Sequence, residues 1–237
     1  MKNLHDDIMG LACADYLAGQ RNAKIKVVSN IVEDDYIPAS YLFRDYAQMP
    51  AIEQTALKLC KGQTLDVGAG AGSHALWLQL NDVGVTALEV SPGLCAVMRQ
   101  RGVSHVVNDD FFQYQPNQLF DTVLMMMNGI GIAGNLEGVS RLLAKSKRLL
   151  APEGQLLVDS CDIAYLFDDP QTEHLPETLD HYYGEIRYQM CYKQYRGKRF
   201  GWLFVDAKML SAQANMHGLK CDVLEEGTNG EFLAKLY

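Results

Sequence analysis

TLDVGAGAG (Thr64–Gly72), running on into SHALWLQL (Ser73–Leu80), is the stretch from which the rest of the chain can be read. A short apolar run ends in an acid, then every second residue is glycine, then a helical pattern begins. This predicts a strand at 64–67, a tight loop and a helix over 73–81. Gly68, Gly70 and Gly72 allow positive φ and place no Cβ in the way of a ligand lying on the loop. The first N–H groups of the helix lack internal partners and point at the same place. The stretch is a cradle at the end of a strand.

Working outward, VTALEV ends a second strand at Glu89, and Ser91-Pro92 is a cap and first turn for a helix to Arg101. His105 to Asn108 reads as a short strand before Asp109-Asp110. Phe120 to Met127, apolar but for Asp121 and Thr122, reads as a strand covered on both faces of a parallel sheet. Asn135 caps a helix with Val139, Leu142, Leu143, Leu149 and Leu150 in register. The turn APEG then leads into the strand GQLLVDS. Upstream, Leu4, Ile8, Leu11, Ala14 and Leu17 predict an amphipathic helix that Gly19 ends. Residues 22–50 carry no regular pattern but are rich in Tyr36, Tyr41, Phe43 and Tyr46, with Arg44 among them. Pro50 opens a helix whose inner face holds Ile52, Ala56, Leu57 and Cys60.

After Ser160 the character changes. Residues 161–182, with Pro170, Pro176 and many acids, read as an irregular excursion. EIRYQMCYKQY and RFGWLFVD alternate around Arg196-Gly197-Lys198, predicting a long β-hairpin. A helix from Asp206 to His217 precedes two last strands, CDVLEE and EFLAKLY. The sum is an α/β fold: a doubly wound, seven-stranded, mostly parallel sheet with helices on both faces, an antiparallel last strand and an inserted β-hairpin.

Composition bounds the function. The chain has 237 residues, 48% hydrophobic and 21% charged, with a net charge of -8. It can bury a full core, and its acidity weighs against a surface that coats nucleic acid. The N-terminus MKNLHDDIM lacks the apolar core of a secretion signal. No uncharged run reaches the roughly 20 apolar residues of a bilayer span. The six cysteines stand singly, the pattern of reduced thiols in a cytoplasmic protein and not of a zinc site.

Open α/β sheets bind ligands beyond the C-terminal ends of their strands. Three such ends here carry acids: Asp66, Glu89 and Asp110. Glu89 lies about 20 residues past the loop, the spacing at which a carboxylate reaches ribose hydroxyls. A dinucleotide would set its pyrophosphate against the loop, where Asp66 repels it, and the third glycine comes one residue early for GxGxxG. A nucleoside bearing an ammonium and a sulfonium, S-adenosyl-L-methionine, suits an acidic cradle.

DVGAGAG, the Glu of ALEVSP, the DDFF after the third strand and the NGIG after the fourth resemble class I S-adenosylmethionine-dependent methyltransferases of the small-molecule type, with the likeness running over residues 50–160. The resemblance implies one methyltransferase domain over 1–237: an N-terminal cover (1–60), a cofactor-binding core (61–160), an inserted loop and hairpin (161–205), and a final helix with edge strands (206–237). It implies that Asp66, Gly68, Ala69 and Gly70 hold the methionine end and that Glu89 and Val90 take the ribose. Asp109, Asp110 and Phe111 would read the adenine, with Asn128 beside the methionine moiety and the acceptor. Tyr36, Tyr41, Arg44 and Gly129 are expected near the methyl acceptor.

The departures bear on the reaction. Asn128-Gly129-Ile130-Gly131 stands where amino-methylating relatives carry NPPY, and no proline-cysteine pair suggests cytosine chemistry. No acids follow the fourth strand to bind a metal, and Asp159 stands alone. Displacement at a sulfonium needs alignment and dryness first, and a base only where the acceptor loses a proton. Tyr36, Tyr41, His74, His181 and Tyr183 are the residues that could supply one. Expected partners are a small-molecule acceptor and no membrane. Trp202, Phe204 and Tyr192 of the hairpin form either a lid or a homodimer face. Lys193, Arg196, Lys198 and Arg199 are a solvated turn, or the contact of an RNA or protein substrate. A nucleoside-binding protein without chemistry is the remaining alternative.

Overall fold

The structure, a computed structural model of the chain, describes residues 7–167 and 181–237. In chain order the elements are α1 (Ile8–Leu17), β1 (Lys24–Ser29), β2 (Asp35–Pro38), α2 (Ala51–Leu59), β3 (Gln63–Val67) and α3 (Ser73–Leu80). There follow β4 (Gly84–Glu89), α4 (Pro92–Arg101), β5 (Val106–Asn108), β6 (Phe120–Met125), α5 (Leu136–Leu149) and β7 (Leu150–Cys161). The chain ends with β8 (Glu185–Tyr192), β9 (Tyr195–Leu203), α6 (Ala207–Met216), β10 (Cys221–Glu226) and β11 (Glu231–Leu236).

The main sheet has seven strands in the order β10-β11-β7-β6-β3-β4-β5. β3, β4, β5, β6 and β7 run parallel, and β11 lies antiparallel between β7 and β10. The winding reverses between β3 and β6, so the chain leaves a crevice beyond their C-terminal ends. The alternation of β6 shows how the sheet is held. Phe120, Val123 and Met125 pack into one core with Val139, Leu142 and Leu143 of α5. Leu124 faces the other core with Ile52, Ala56 and Leu57 of α2 and Leu78 of α3. Each fully buried side chain of this size contributes about 1.5–3 kcal/mol of apolar burial.

The cap signals act as the sequence implies. Ser91, Asn135 and Asp206 each accept a backbone N–H of the helix they open. Three local readings need correction. Ala151–Gly154 is not a turn ahead of a strand; it lies within β7, where the register with β6 shifts and Glu153 takes φ 61°. The hairpin turns at Lys193-Gln194, with Lys193 at φ 52°, so Arg196, Gly197 and Lys198 belong to β9. Residues 22–50 are not irregular throughout. β1 and β2 pair antiparallel, and β1 pairs with β8, so the hairpin is half of a second four-stranded sheet, β2-β1-β8-β9. A pairing between strands some 160 residues apart leaves no trace in local pattern.

The excursion expected at 161–182 lies largely outside the described residues, as do Leu4, Pro170 and Pro176. All six cysteines are free thiols. Among the described residues, no helix is long and apolar enough to cross a membrane, and no three His, Cys, Asp or Glu side chains gather to hold a metal ion.

Candidate functional site

β3 carries Asp66 to the crevice and then turns on Gly68, Gly70 and Gly72, all at positive φ. The three glycines do different things. A Cβ on Gly72 would press to 2.9 Å from Met98 Cγ and Val103 Cγ2, so that glycine serves packing. A Cβ on Gly70 would meet nothing nearer than the Gly68 carbonyl at 3.9 Å, and one on Gly68 only Ile132 at 3.4 Å. Those two line open space. Ala69 between them is buried.

Asp66 is 1% exposed, and its Oδ2 has no hydrogen-bond partner. Burial pushes its carboxyl up to about 6, against the pull of His74. The buried Oδ2 keeps the capacity to accept one further hydrogen bond. Asn128, across the crevice after β6, repeats the motif. Its backbone is left-handed at φ 59°, its Nδ2 donates to the Leu203 carbonyl at 2.9 Å, and its buried Oδ1 has no partner. Asp159 at the end of β7 fixes this turn by accepting the N–H groups of Asn128 (2.9 Å) and Gly129 (2.8 Å). Burial raises the Asp159 carboxyl to about 6 as well.

Glu89, 6% exposed at the end of β4, accepts the Gly70 N–H at 3.0 Å and the Ser91 N–H at 2.9 Å, one on each oxygen. With at most three backbone N–H groups on its two oxygens, the carboxylate keeps capacity for a further donor. Burial raises the proton affinity of Glu89 above that of an ordinary carboxylate. Val90 beside it is exposed. Asp109 accepts the Asp110 N–H and Asp110 accepts the Phe112 N–H, each at 2.8 Å, so both acids shape the turn after β5. Phe111 is buried in the core.

Behind the loop lies a network the sequence reading missed. Glu53 of α2 binds the Arg44 guanidinium with one oxygen and His74 Nε2 at 2.6 Å with the other. Burial raises the Glu53 carboxyl, but the bonds from His74 and Arg44 outweigh it and hold it ionised. Burial likewise opposes protonation of His74, and Glu53 and Asp66 overcome it. The signal was present: Glu53 falls in the 53, 56, 57, 60 stripe of α2, a charge on the face the helix buries.

Arg44 also donates to the Tyr41 carbonyl at 2.8 Å and lies 3.8 Å over the exposed Tyr41 ring. It is therefore engaged within the N-terminal segment and not open to an acceptor. Tyr36 stands on the outer face of the second sheet, in a groove of about 240 Å³ with Lys24, Lys26, Val28, Cys191, Lys193 and Arg196. The opposite, inner face meets the crevice. There Trp202 packs so closely on Gly131 that a Cβ would fall 2.2 Å from its Cε2. Tyr188, Phe200 and Trp202 follow one another at 6.3 and 6.1 Å between ring centroids. Of the residues considered as bases, Tyr183 donates to Asp162 at 2.7 Å, and burial drives its phenol far above the ordinary range. His181 is exposed.

An acid-ended first strand, a glycine loop with open space above it and a second acid at the next strand end define a nucleoside-binding Rossmann-like enzyme. Residues 64–154 match the family described as "Methyltransferase domain". An S-adenosylmethionine-dependent methyltransferase from Bacteroides fragilis, crystallised with S-adenosyl-L-homocysteine, is 41% identical. It superposes at a TM-score of 0.92 over 99% of this chain and 96% of its own. This chain belongs to the S-adenosylmethionine-dependent methyltransferases, and its cofactor is S-adenosyl-L-methionine. The sugar N-methyltransferase KedS8 from Streptoalloteichus shares the fold at a TM-score of 0.58 and 17% identity, over 87% of this chain and 96% of that one. A demethylmenaquinone methyltransferase from Tropheryma whipplei is 23% identical over 172 residues. That match takes in 69% of this chain and 66% of the relative, just under two thirds of its length. The residues present fit the cofactor, since Asp66 Oδ2 and Asn128 Oδ1 are buried acceptors without a partner, and a Cβ at Gly68 or Gly70 would meet nothing nearer than 3.4 Å.

Proposed function

We propose that this enzyme methylates a small-molecule acceptor, and that it works as one domain over 1–237. The observation that carries this reading is the roof of the crevice: Trp202 seated on Gly131 and the Leu203 carbonyl bound to Asn128 set the aromatic face of the second sheet against the strand ends. A roof of that kind supports a modest, walled, largely apolar pocket rather than an open surface. The relatives named for a sugar and for demethylmenaquinone point the same way.

The bound cofactor supplies an electrophilic methyl on a sulfonium with a neutral leaving group. In this reading Asp66 and the open face of the 68–70 loop receive the methionine end, Glu89 takes the ribose hydroxyls, and the 109–111 turn borders the adenine. Asn128 and Gly129, held by Asp159, border the acceptor. The enzyme's own part is alignment and exclusion of water. Tyr183 and His74 are committed to Asp162 and Glu53, so neither is free to take a proton from the acceptor. This favours an acceptor that is a free amine or another group nucleophilic without a protein base. The test is mass spectrometry of incubations with S-adenosyl-L-methionine and panels of amines, phenols and quinols. Methylated product and S-adenosyl-L-homocysteine in equal amounts support the reading; turnover only of RNA or protein overturns it.

The second reading rests on the outer face of the second sheet. Lys24 and Arg196, with Lys26 and Lys193 paired to Asp34 and Asp15, gather round one groove in a chain of net charge -8. That favours an anionic macromolecule docked by the hairpin, as RNA would be. Salt-sensitive RNA binding abolished by neutralising Lys193, Arg196, Lys198 and Arg199 is its signature.

A further inference from the structure

One carboxylate serves two helices. Asp7 caps α1 by accepting the Gly10 N–H at 3.1 Å. The same Oδ1 accepts the Ser91 hydroxyl at 2.6 Å, and Oδ2 accepts the Gly93 N–H at 2.8 Å. Ser91 Oγ in turn accepts the Leu94 N–H at 3.0 Å and caps α4. The helices can meet here because glycines face each other: a Cβ on Gly93 would lie 2.8 Å from Gly10 Cα. From Ser91 the chain of bonds continues through its N–H to Glu89 Oε1, and from Glu89 Oε2 to the Gly70 N–H. A line of four residues thus joins the N-cap of α1 to the glycine loop.

Capping alone does not account for Asp7. Ser91 already caps α4, and an uncharged Ser or Asn would cap α1 as well. The negative charge of Asp7 also opposes ionisation of Glu89. What Asp7 adds is the position of Ser91, and so the angle at which Glu89 is held between two backbone N–H groups.

We infer that Asp7 is a positioning residue for the cofactor: docked through Ser91, it fixes Glu89 in the orientation that binds the ribose hydroxyls. This rests on the reading of Glu89 as the ribose carboxylate. α1 then acts as a clamp whose seating is felt at the cofactor without touching it.

The test is calorimetric titration of the full chain with S-adenosyl-L-homocysteine, beside the melting temperature of each ligand-free variant. Asp7→Ala and Ser91→Ala are each expected to weaken binding about tenfold, a loss of one decade in Kd. Asp7→Asn, which keeps one acceptor oxygen, is expected to fall between, and serves where the alanine variant does not fold. The deciding measurement is the double variant. Because Asp7 acts through Glu89, Asp7→Ala is expected to add less than twofold in a Glu89→Gln background. If Glu89→Gln binds like the wild type, the ribose reading fails and this inference with it. If Glu89→Gln weakens binding while Asp7→Ala does not, or if the two losses multiply, Asp7 is only a helix cap and the inference is overturned.

Discussion

His74 Nε2 stands 2.6 Å from Glu53 Oε2, inside a pocket where both side chains are under a tenth exposed. This contact ties the start of α3, just past the glycine loop, to α2. Through the Arg44 guanidinium on the other oxygen of Glu53, it also ties in the N-terminal segment. Three elements that never pair as strands are locked by one carboxylate.

Removing that carboxylate should be costly. Glu53→Gln leaves the guanidinium and His74 buried without a full counter-charge, and breaking a buried ion pair costs about 3–5 kcal/mol. The exposed pair Lys26–Asp34 at 2.6 Å is the control; Asp34→Asn should leave the midpoint nearly unchanged. Urea denaturation of the two variants measures the contrast, and similar midpoints for both would discard the network as a source of stability.

Asp66 predicts a pH dependence of cofactor binding. Its carboxyl titrates at about 6 in the ligand-free protein because it is buried, and an ammonium beside it favours the ionised form. Binding therefore releases a proton below that pH. Affinity for S-adenosyl-L-homocysteine should be flat above pH 7 and should fall by up to about tenfold per unit below 6. The ligand-free fold runs the other way at this one group: its raised pKa makes the folded state bind the extra proton, so its own contribution to stability falls as pH rises from about 4 through 6. Titrations at several pH values, repeated with Asp66→Asn, separate the effects. The asparagine variant should bind weakly and without the slope.

The parts of this architecture that were legible are those written locally. The Asp66–Gly72 turn, the Ser91-Pro92 start and the apolar β6 run each carry their structure in a few adjacent residues, and α/β alternation then leaves few topologies. The second sheet was half legible: β8 and β9 announce themselves by alternation, whereas β1 pairs with the distant β8 and β2 joins the sheet only through β1. The misplaced turn has a plain cause. Arg196-Gly197-Lys198 looks like a turn because of its glycine, yet Gly197 sits where the β8–β9 register shifts, between the pairs Cys191–Arg196 and Gln189–Arg199. At the site, acids at strand ends could be found from spacing. The partners of Glu53, Arg44 and Asp7 are made only by folding.

The loop glycines should separate stability from binding. Gly72→Ala puts a Cβ at φ 85° against Met98 and Val103, with 2.9 Å to each. Overpacking costs about 1–3 kcal/mol and the left-handed backbone about 1–2 more, so a clear drop in melting temperature is expected. Gly70→Ala meets no atom within 3.9 Å, so it should cost only the backbone term, about 1–2 kcal/mol. Its methyl group projects into the cradle, and S-adenosyl-L-homocysteine affinity should fall at least about tenfold. Equal affinity in Gly70→Ala and wild type would show that the cofactor does not lie on this loop.

Gly131 tests whether the second sheet roofs the reaction. A Cβ there would lie 2.2 Å from Trp202 Cε2 and 2.3 Å from Nε1, and the indole sits on a strand that cannot yield alone, since β9 is paired along its length with β8. Gly131→Ala should therefore lift the roof as a unit. The glycine loop and Glu89 make no contact with Trp202 in the bonds that hold them, so cofactor affinity should stay within about twofold while methyl transfer falls by on the order of tenfold or more. Hydrogen exchange over residues 185–203 should rise in the same variant. Trp202→Ala, which removes the clash but also the seat, should not restore transfer in the Gly131→Ala background if the roof is what excludes water. Full transfer in Gly131→Ala would instead mean that the acceptor is reached without the second sheet, and would move the weight to the reading in which its outer, basic face docks a macromolecule.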